Sequence, residues 1–285
     1  MFSASWWSIV SLQAIPPIDT ELMFPRERDA VEPSAIDSFI ANTDALNRLY
    51  VGYSDPNGAP MPPELGPLIL LGYMSAVEGY FRSMIRRTIL IDPHAAKKAE
   101  AMTVPYGAAL RHRAELLPEA LLEGVSFAGE GGVKDGLRTY LGVSGPPPAE
   151  VAVALRTYAA VCEIRHCCVH RFGRLGSQNA IRLGLETHGE LLERSFEPTV
   201  DNLQDVADVL RTFVKAINNW VFSHTLKRSV KDISTIPSPW TWNWDQDRDR
   251  YGRYYSLFAS ITDSMPSPSS ELMYKAFRAE FGPAS

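Results

Sequence analysis

The chain is short of the residues a disulfide framework needs. Its 285 residues include three cysteines, Cys162, Cys167 and Cys168, all within seven positions. Secreted scaffolds use an even number spread along the sequence, so this pattern predicts a reducing compartment and a cytoplasmic protein. No run of about eighteen apolar residues occurs, which argues against a membrane-spanning helix and against a membrane partner. The start, Met1 to Leu12, is apolar enough to resemble a signal-peptide core. It lacks a positive flank, however, and reaches Pro16-Pro17 without a clear cleavage site. An excess of basic charge is missing as well: 28 Lys and Arg against 33 Asp and Glu give a net charge of −5. That balance excludes a protein that coats nucleic acid through a uniformly basic surface, and leaves a local basic site open. Strand-like alternation is scarce and no repeat of fixed period runs through the chain. With 45% hydrophobic residues, extensive disorder is excluded too.

What the sequence does contain is helical periodicity. After Pro33-Ser34, Ile36, Phe39, Ile40, Leu46 and Leu49 fall on one side of a predicted helix. Turn chemistry marks Tyr53 to Pro63 as a loop. From about Pro63 to Leu90 runs the longest apolar pattern, including Leu68, Ile69, Tyr73, Val77, Phe81 and Ile85, the mark of a central core helix. Weaker helical stretches are predicted at 94–102 and 106–117. A glycine-rich loop follows at 124–136, overlapping a short helix at 133–141. Gly145-Pro-Pro-Pro148 breaks the chain and launches a strong helix from Ala149 to about Val169. Another predicted helix spans about Thr199 to Thr225. Beyond it, Trp240, Trp242, Trp244 and the charged run to Arg250 read as a linker, with a last helix at Ser270 to Phe281. The expected organisation is an all-α bundle: an N-terminal extension at 1–32, a helical domain at 33–228, and a Trp-rich linker with a C-terminal helix at 229–285.

One segment carries chemistry. Between Ile164 and Leu185 there is no acidic residue, while Arg165, Arg171, Arg174 and Arg182 accompany His166 and His170. Taking those four arginines from the 28 basic residues leaves 24 against 33 acidic, or −9 for the remainder. Positive charge concentrated on an acidic body points to an anionic ligand. On a helix His166 and His170 share a face, whereas Arg165 and His170 stand about 140° apart. They would flank a cleft made with a second helix or a second subunit. Arginine clamps phosphate through paired hydrogen bonds, and histidine as a class titrates near neutrality, a combination suited to metal-free phosphodiester transfer.

Arg165-His-Cys-Cys-Val-His170 is an Arg-x4-His motif. It resembles the signature of the HEPN superfamily of α-helical ribonucleases and nucleotide-binding proteins. Glu163 to Gly173 is similar to the wider pattern around that motif, and Ala76 to Ile85 to the long helix that packs against it. The resemblance spans roughly Pro33 to Thr225. It implies a homodimer whose two motifs face one composite cleft and cut single-stranded RNA with the RNA's own 2′-hydroxyl, without metal or cofactor. Arg165 would contact the scissile phosphate, His170 would serve as general acid or base, and His166 would help orient the pair. Arg171 and Arg174 would bind RNA, with Glu163 and Glu78 in support. A toxin or defence role, with an antitoxin or defence-complex partner, is implied by the family's habits alone. Some toxin members carry a tyrosine two residues beyond the motif histidine; Phe172 stands there.

Other readings stay open. Arg82 and Arg86, with Glu78, form either a solvated helix face or an extension of the RNA groove. Adjacent cysteines on a helix diverge by about 100°, which disfavours a zinc site, so no metal is expected. The three tryptophans serve to dock the tail or a partner, or to stack bases. A non-catalytic scaffold or a nucleotide-sensing module remains the alternative to a nuclease.

Overall fold

A computed structural model describes residues 16–24, 32–55, 57–232 and 239–283. The chain divides into two units, 1–32 and 33–285. In the first, the described part is a 3-10 turn, Thr20–Met23, capped by the Asp19 side chain on the Glu21 N–H. The apolar start, Met1 to Leu12, lies outside the described residues.

The second unit is all-α: among the described residues there are helices and a single bridge between Arg174 and Ser195, but no strand. In order the helices are α1 (Ala35–Tyr50), α2 (Leu65–Ile91), α3 (Pro93–Ala99), α4 (Tyr106–Arg111), α5 (Glu130–Leu141) and α6 (Ala149–Arg171). They are followed by α7 (Ser177–Leu183), α8 (Leu185–His188), α9 (Val200–Lys231), α10 (Trp244–Phe258) and α11 (Ser270–Phe281). No described helix is long and apolar enough to cross a membrane.

Side chains at the helix starts satisfy backbone N–H groups that have no partner within the helix. Ser34 accepts from Asp37 at the head of α1, and Thr199 and Asn202 form a reciprocal capping box at the head of α9. Pro148 precedes α6 where a missing N–H costs nothing. The core is built where α1, α2, α6 and α9 pack together. Tyr158 of α6 stacks on Phe213 of α9, ring centroids 4.1 Å apart, and Phe81 of α2 stacks on Phe127 at 5.0 Å. These rings belong to a larger apolar core whose burial is the dominant favourable contribution to folding.

Several boundaries differ from the sequence pattern. Leu49 is exposed, and Tyr50 takes the buried place at that end of α1. The glycine-rich stretch becomes helical from Glu130, because Val133 and Leu137 bury against Phe127. Gly136 makes that approach possible: a Cβ there would sit 2.6 Å from the Phe127 ring. The short helices α7 and α8 carry no strong apolar period and were not expected.

The tail departs furthest from the sequence pattern. α9 runs unbroken past residue 228 to Lys231, and the charged stretch read as a linker belongs to α10. Asn243 caps that helix. Asp247, 4% exposed, accepts hydrogen bonds from the backbone N–H of Thr241 (3.2 Å) and Trp242 (2.9 Å) and from the Tyr274 hydroxyl (2.6 Å). Trp240 donates from Nε1 to Ser229 at 3.0 Å, lies under the Arg250 guanidinium at 4.0 Å, and packs with Tyr251 and Phe277. The tryptophans are therefore part of a second small core shared with α9. Residues 233–238, the start of the Trp-rich stretch, lie outside the described residues.

Candidate functional site

The motif occupies the last turns of α6, whose other face is buried against α2 and α9. Helical geometry separates its members. Arg165 turns towards α2 and shares a cavity of about 230 Å³ with Glu78, Ser75, Met74, Leu71 and Ala128. His166 and His170, one turn apart, lie on the exposed side with ring centroids 4.4 Å apart and planes at 50°. Neither imidazole lines the Arg165 cavity. The divergence of about 140° expected for Arg165 and His170 on one helix is thus seen as two separate surfaces.

Beneath Arg165 the surroundings are packed and polar. The buried Tyr158 hydroxyl donates to the Phe127 carbonyl at 2.8 Å. Burial pushes its phenol up, Cys162 and Glu78 push the same way, and the Arg165 charge opposes them. Burial likewise pushes the Cys162 thiol up to about 11, against the Tyr158 hydrogen bond and the Arg165 charge. Arg165 therefore faces a cleft with Glu78 on one wall and a buried phenol and thiol on its own helix. Among the described residues its guanidinium makes no ion pair and no side-chain hydrogen bond, which leaves its donors available to a ligand.

The other arginines are differently placed. Arg171 pairs with Glu193 at 2.5 Å, and Arg174 donates to the Glu193 carbonyl at 3.1 Å. Arg182 pairs with Glu163 at 3.0 Å, and Asn179 donates to the same carboxylate at 2.8 Å. Glu163 therefore ties α7 to α6 instead of bracing Arg165. The carboxylate-free window is a property of the chain and not of the surface, since Glu163 and Glu193 from either side of it return to neutralise two of its four charges.

Arg82 and Arg86 are engaged inward, contrary to the groove reading. Arg82 donates to the carbonyls of Leu122 (2.6 Å) and Val125 (3.0 Å). Arg86, 6% exposed, donates to the Glu115 carbonyl at 3.2 Å, and both arginines approach Glu119 at 3.6 Å. They hold the 115–125 segment over α2, a role invisible in a helical wheel. Glu78 does reach the cleft, where Ser126 donates to it at 3.4 Å.

A second depression adjoins the first, and sequence reasoning missed it. It is a groove of about 500 Å³ walled by Pro67, Leu68, Leu71, Val169, Phe172 and Phe196. Glu64, Ser195 and Glu197 supply its polar edge. Leu71 lines both depressions, and each is bordered by residues of α2 and of α6 or its C-terminal end. Next to the groove, Gly66 lets the chain after Glu197 pack closely on α2: a Cβ there would meet the Pro198 ring at 2.5 Å. Phe172 caps α6 in the left-handed conformation (φ 50, ψ 44), its N–H bonded to the Cys167 carbonyl, and is 89% exposed. The only sequence signal for this was Phe172-Gly173 at a helix end, where the glycine draws attention away from its neighbour.

Among the described residues no group of three or more His, Cys, Asp or Glu is placed to hold a metal ion, and the cysteines are buried as free thiols. Compared with family models, with curated proteins and with solved structures, the chain finds no match in any of the three.

Proposed function

We propose that this chain is a metal-independent endoribonuclease of HEPN type that acts as a homodimer. The observation that carries the reading is the pairing, at one helix end, of an arginine that lines a cleft with two histidines whose tilted rings lie 4.4 Å apart on the exposed face. In the reaction a base removes the proton from a ribose 2′-hydroxyl, whose oxygen bonds to the neighbouring phosphorus as the bond to the 5′-oxygen breaks. The leaving oxygen takes a proton, and the products carry a 2′,3′-cyclic phosphate and a 5′-hydroxyl. Arg165 steadies the charge on the phosphoryl oxygens. His170 acts as general acid or base, and His166, in ring contact with it, orients the imidazole.

The divergence of Arg165 and His170 around one helix supports the dimer. A single chain does not direct both groups at one phosphate, whereas a second copy facing the first supplies the missing partner. Of Arg171, Arg174 and Arg182, Arg174 stays closest to a phosphate-binding role, because its partner is a neutral carbonyl. A cytoplasmic toxin or defence effector held by an antitoxin or complex partner is the biological setting that the HEPN resemblance suggests.

The test is cleavage of single-stranded RNA in EDTA, with the product ends identified. Arg165→Ala and His170→Ala are each expected to lower the rate by about 10²-fold or more with unchanged thermal unfolding. Equal rates for parent and both variants would falsify the assignment. A second reading, nucleotide binding without cutting, is favoured by the absence of an imidazole from the Arg165 cavity. It predicts a rise in melting temperature with nucleotides and no cleavage.

A further inference from the structure

We infer that the groove beside Phe172 is a nucleobase subsite, with Phe172 as its stacking platform and Glu64 and Glu197 reading the donor edge of the base, guanine above the others. The inference rests on the proposed RNA reading, and it names which part of the substrate lies where.

Three independent features converge on it. The first is Phe172 itself. An aromatic residue is held in the left-handed region at a helix end where glycine is the usual occupant, and most of its ring is in water. Neither packing nor backbone preference accounts for that choice, and strain kept beside a candidate site is a pointer to use. The second is the wall chemistry. Leu68, 62% exposed, lines the groove with Val169, Phe172, Pro67 and Phe196, an apolar lining that suits a flat, apolar-faced group. Bases stack on such aromatic faces whatever their sequence.

The third feature is the polar edge. Two acidic residues, Glu64 and Glu197, and Ser195 line the groove, and no basic residue does. Among the described residues neither carboxylate makes an ion pair or a side-chain hydrogen bond. A phosphate is repelled there. A heterocycle that offers N–H donors is welcomed, since bases in single strands are recognised through their Watson–Crick edges. Guanine presents two adjacent donors, N1–H and the N2 amino group, which match a carboxylate; uracil presents one N–H, and adenine and cytosine one amino group. The order along α6 fits the order along a nucleotide. The Arg165 cleft receives the phosphate, Cys168 and Val169 lie about 5 Å further along the axis, and Phe172 lies about 10 Å further.

The experiment uses the full chain and single-stranded hexadeoxynucleotides, which lack the 2′-hydroxyl and are not cut. One probe is all thymine; others carry one guanine, adenine or cytosine. Fluorescence anisotropy is expected to show the guanine probe bound about tenfold more tightly than the thymine probe. Phe172→Ala is expected to weaken all probes about tenfold, while Phe172→Trp keeps the affinity and its emission is quenched on binding. Glu64→Gln with Glu197→Gln is expected to erase the guanine preference and leave thymine binding in place. Equal affinity of the parent for all probes overturns the inference, as does Phe172→Ala binding like the parent. If Phe172→Ala instead changes the sedimentation coefficient and leaves base preference intact, the groove belongs to a second copy and the inference also fails. Guanine-selective binding without RNA cleavage would sink the nuclease reading and keep the subsite. Cleavage with the same cut sites in parent and Phe172→Ala would do the reverse.

Discussion

Phe172 has a measurable energetic signature apart from any ligand. A side chain other than glycine in the left-handed region costs about 1–2 kcal/mol, and little burial offsets it here because the ring is exposed. Phe172→Gly is therefore expected to raise stability by about 0.5–1 kcal/mol after the glycine's extra unfolded-state entropy, read as a higher urea midpoint at unchanged slope. Phe172→Ala keeps the positive φ and is expected to leave the midpoint nearly unmoved. The helix around Phe172 was legible in the sequence, because three- and four-residue spacing and Pro148 mark it. Its backbone angle was not, since it depends on how Gly173 turns back to place its carbonyl on the Phe196 N–H, 2.9 Å away. Arg82 and Arg86 teach the same lesson. Their spacing put them on a polar stripe, but what covers that stripe is a segment about 30–40 residues later, and a periodicity argument sees only the stripe.

At the scale of the element, α6 and α10 mark the two extremes. α6 has a proline-led start, a strong apolar face and one basic end, so both its span and its candidate chemistry could be read directly. α10 opens with Asp245-Gln-Asp-Arg-Asp-Arg250, which looks like solvated chain. The charge that misled is Asp247, which is buried and gathers three donors. Asp247→Ala would strand those donors and is expected to cost about 2–4 kcal/mol. Denaturation followed by tryptophan emission checks this, because Trp240 and Trp242 pack on the α11 residue Phe277 and should redden with the loss of the latch. An unchanged urea midpoint would mean that the turn holds without its carboxylate.

Across the whole second unit, Asp37 joins α1 to the chain that follows α10, more than 220 residues later. Its carboxylate accepts from Ser260 Oγ (2.5 Å), Thr262 Oγ1 (2.8 Å) and the Ile261 N–H (3.3 Å). Burial alone would raise its pKa, but these bonds and the one with Ser34 outweigh it and hold the carboxyl below the ordinary aspartate value. The stabilisation is thus fully present above about pH 4, where the unfolded carboxyl is ionised, and is lost as pH falls through the lower folded value. Asp37→Asn is expected to flatten the acid limb of stability against pH below about 4, with urea midpoints at several pH values as the measurement. An acid limb identical to the parent's would rule Asp37 out as its source. At this scale the net charge also takes on its proper meaning. The −9 remainder and the +4 window are not separate bodies, because Glu163 and Glu193 close over Arg182 and Arg171, and of the window's four arginines the one without an ion pair or side-chain hydrogen bond among the described residues is Arg165, in the cleft.

The cysteines of α6 carry a last consequence. Burial pushes Cys162 and Cys168 up to about 11, so at neutral pH both are protonated as well as enclosed. Cys168 borders the groove, but a maleimide or disulfide reagent meets Cys162 only when the helix lifts from its neighbours, and the Cys162 labelling rate then becomes a clock for that event. The helix that bears Arg165 and His170 thus comes with a built-in reporter, able to tell whether RNA tightens it without any residue having been substituted.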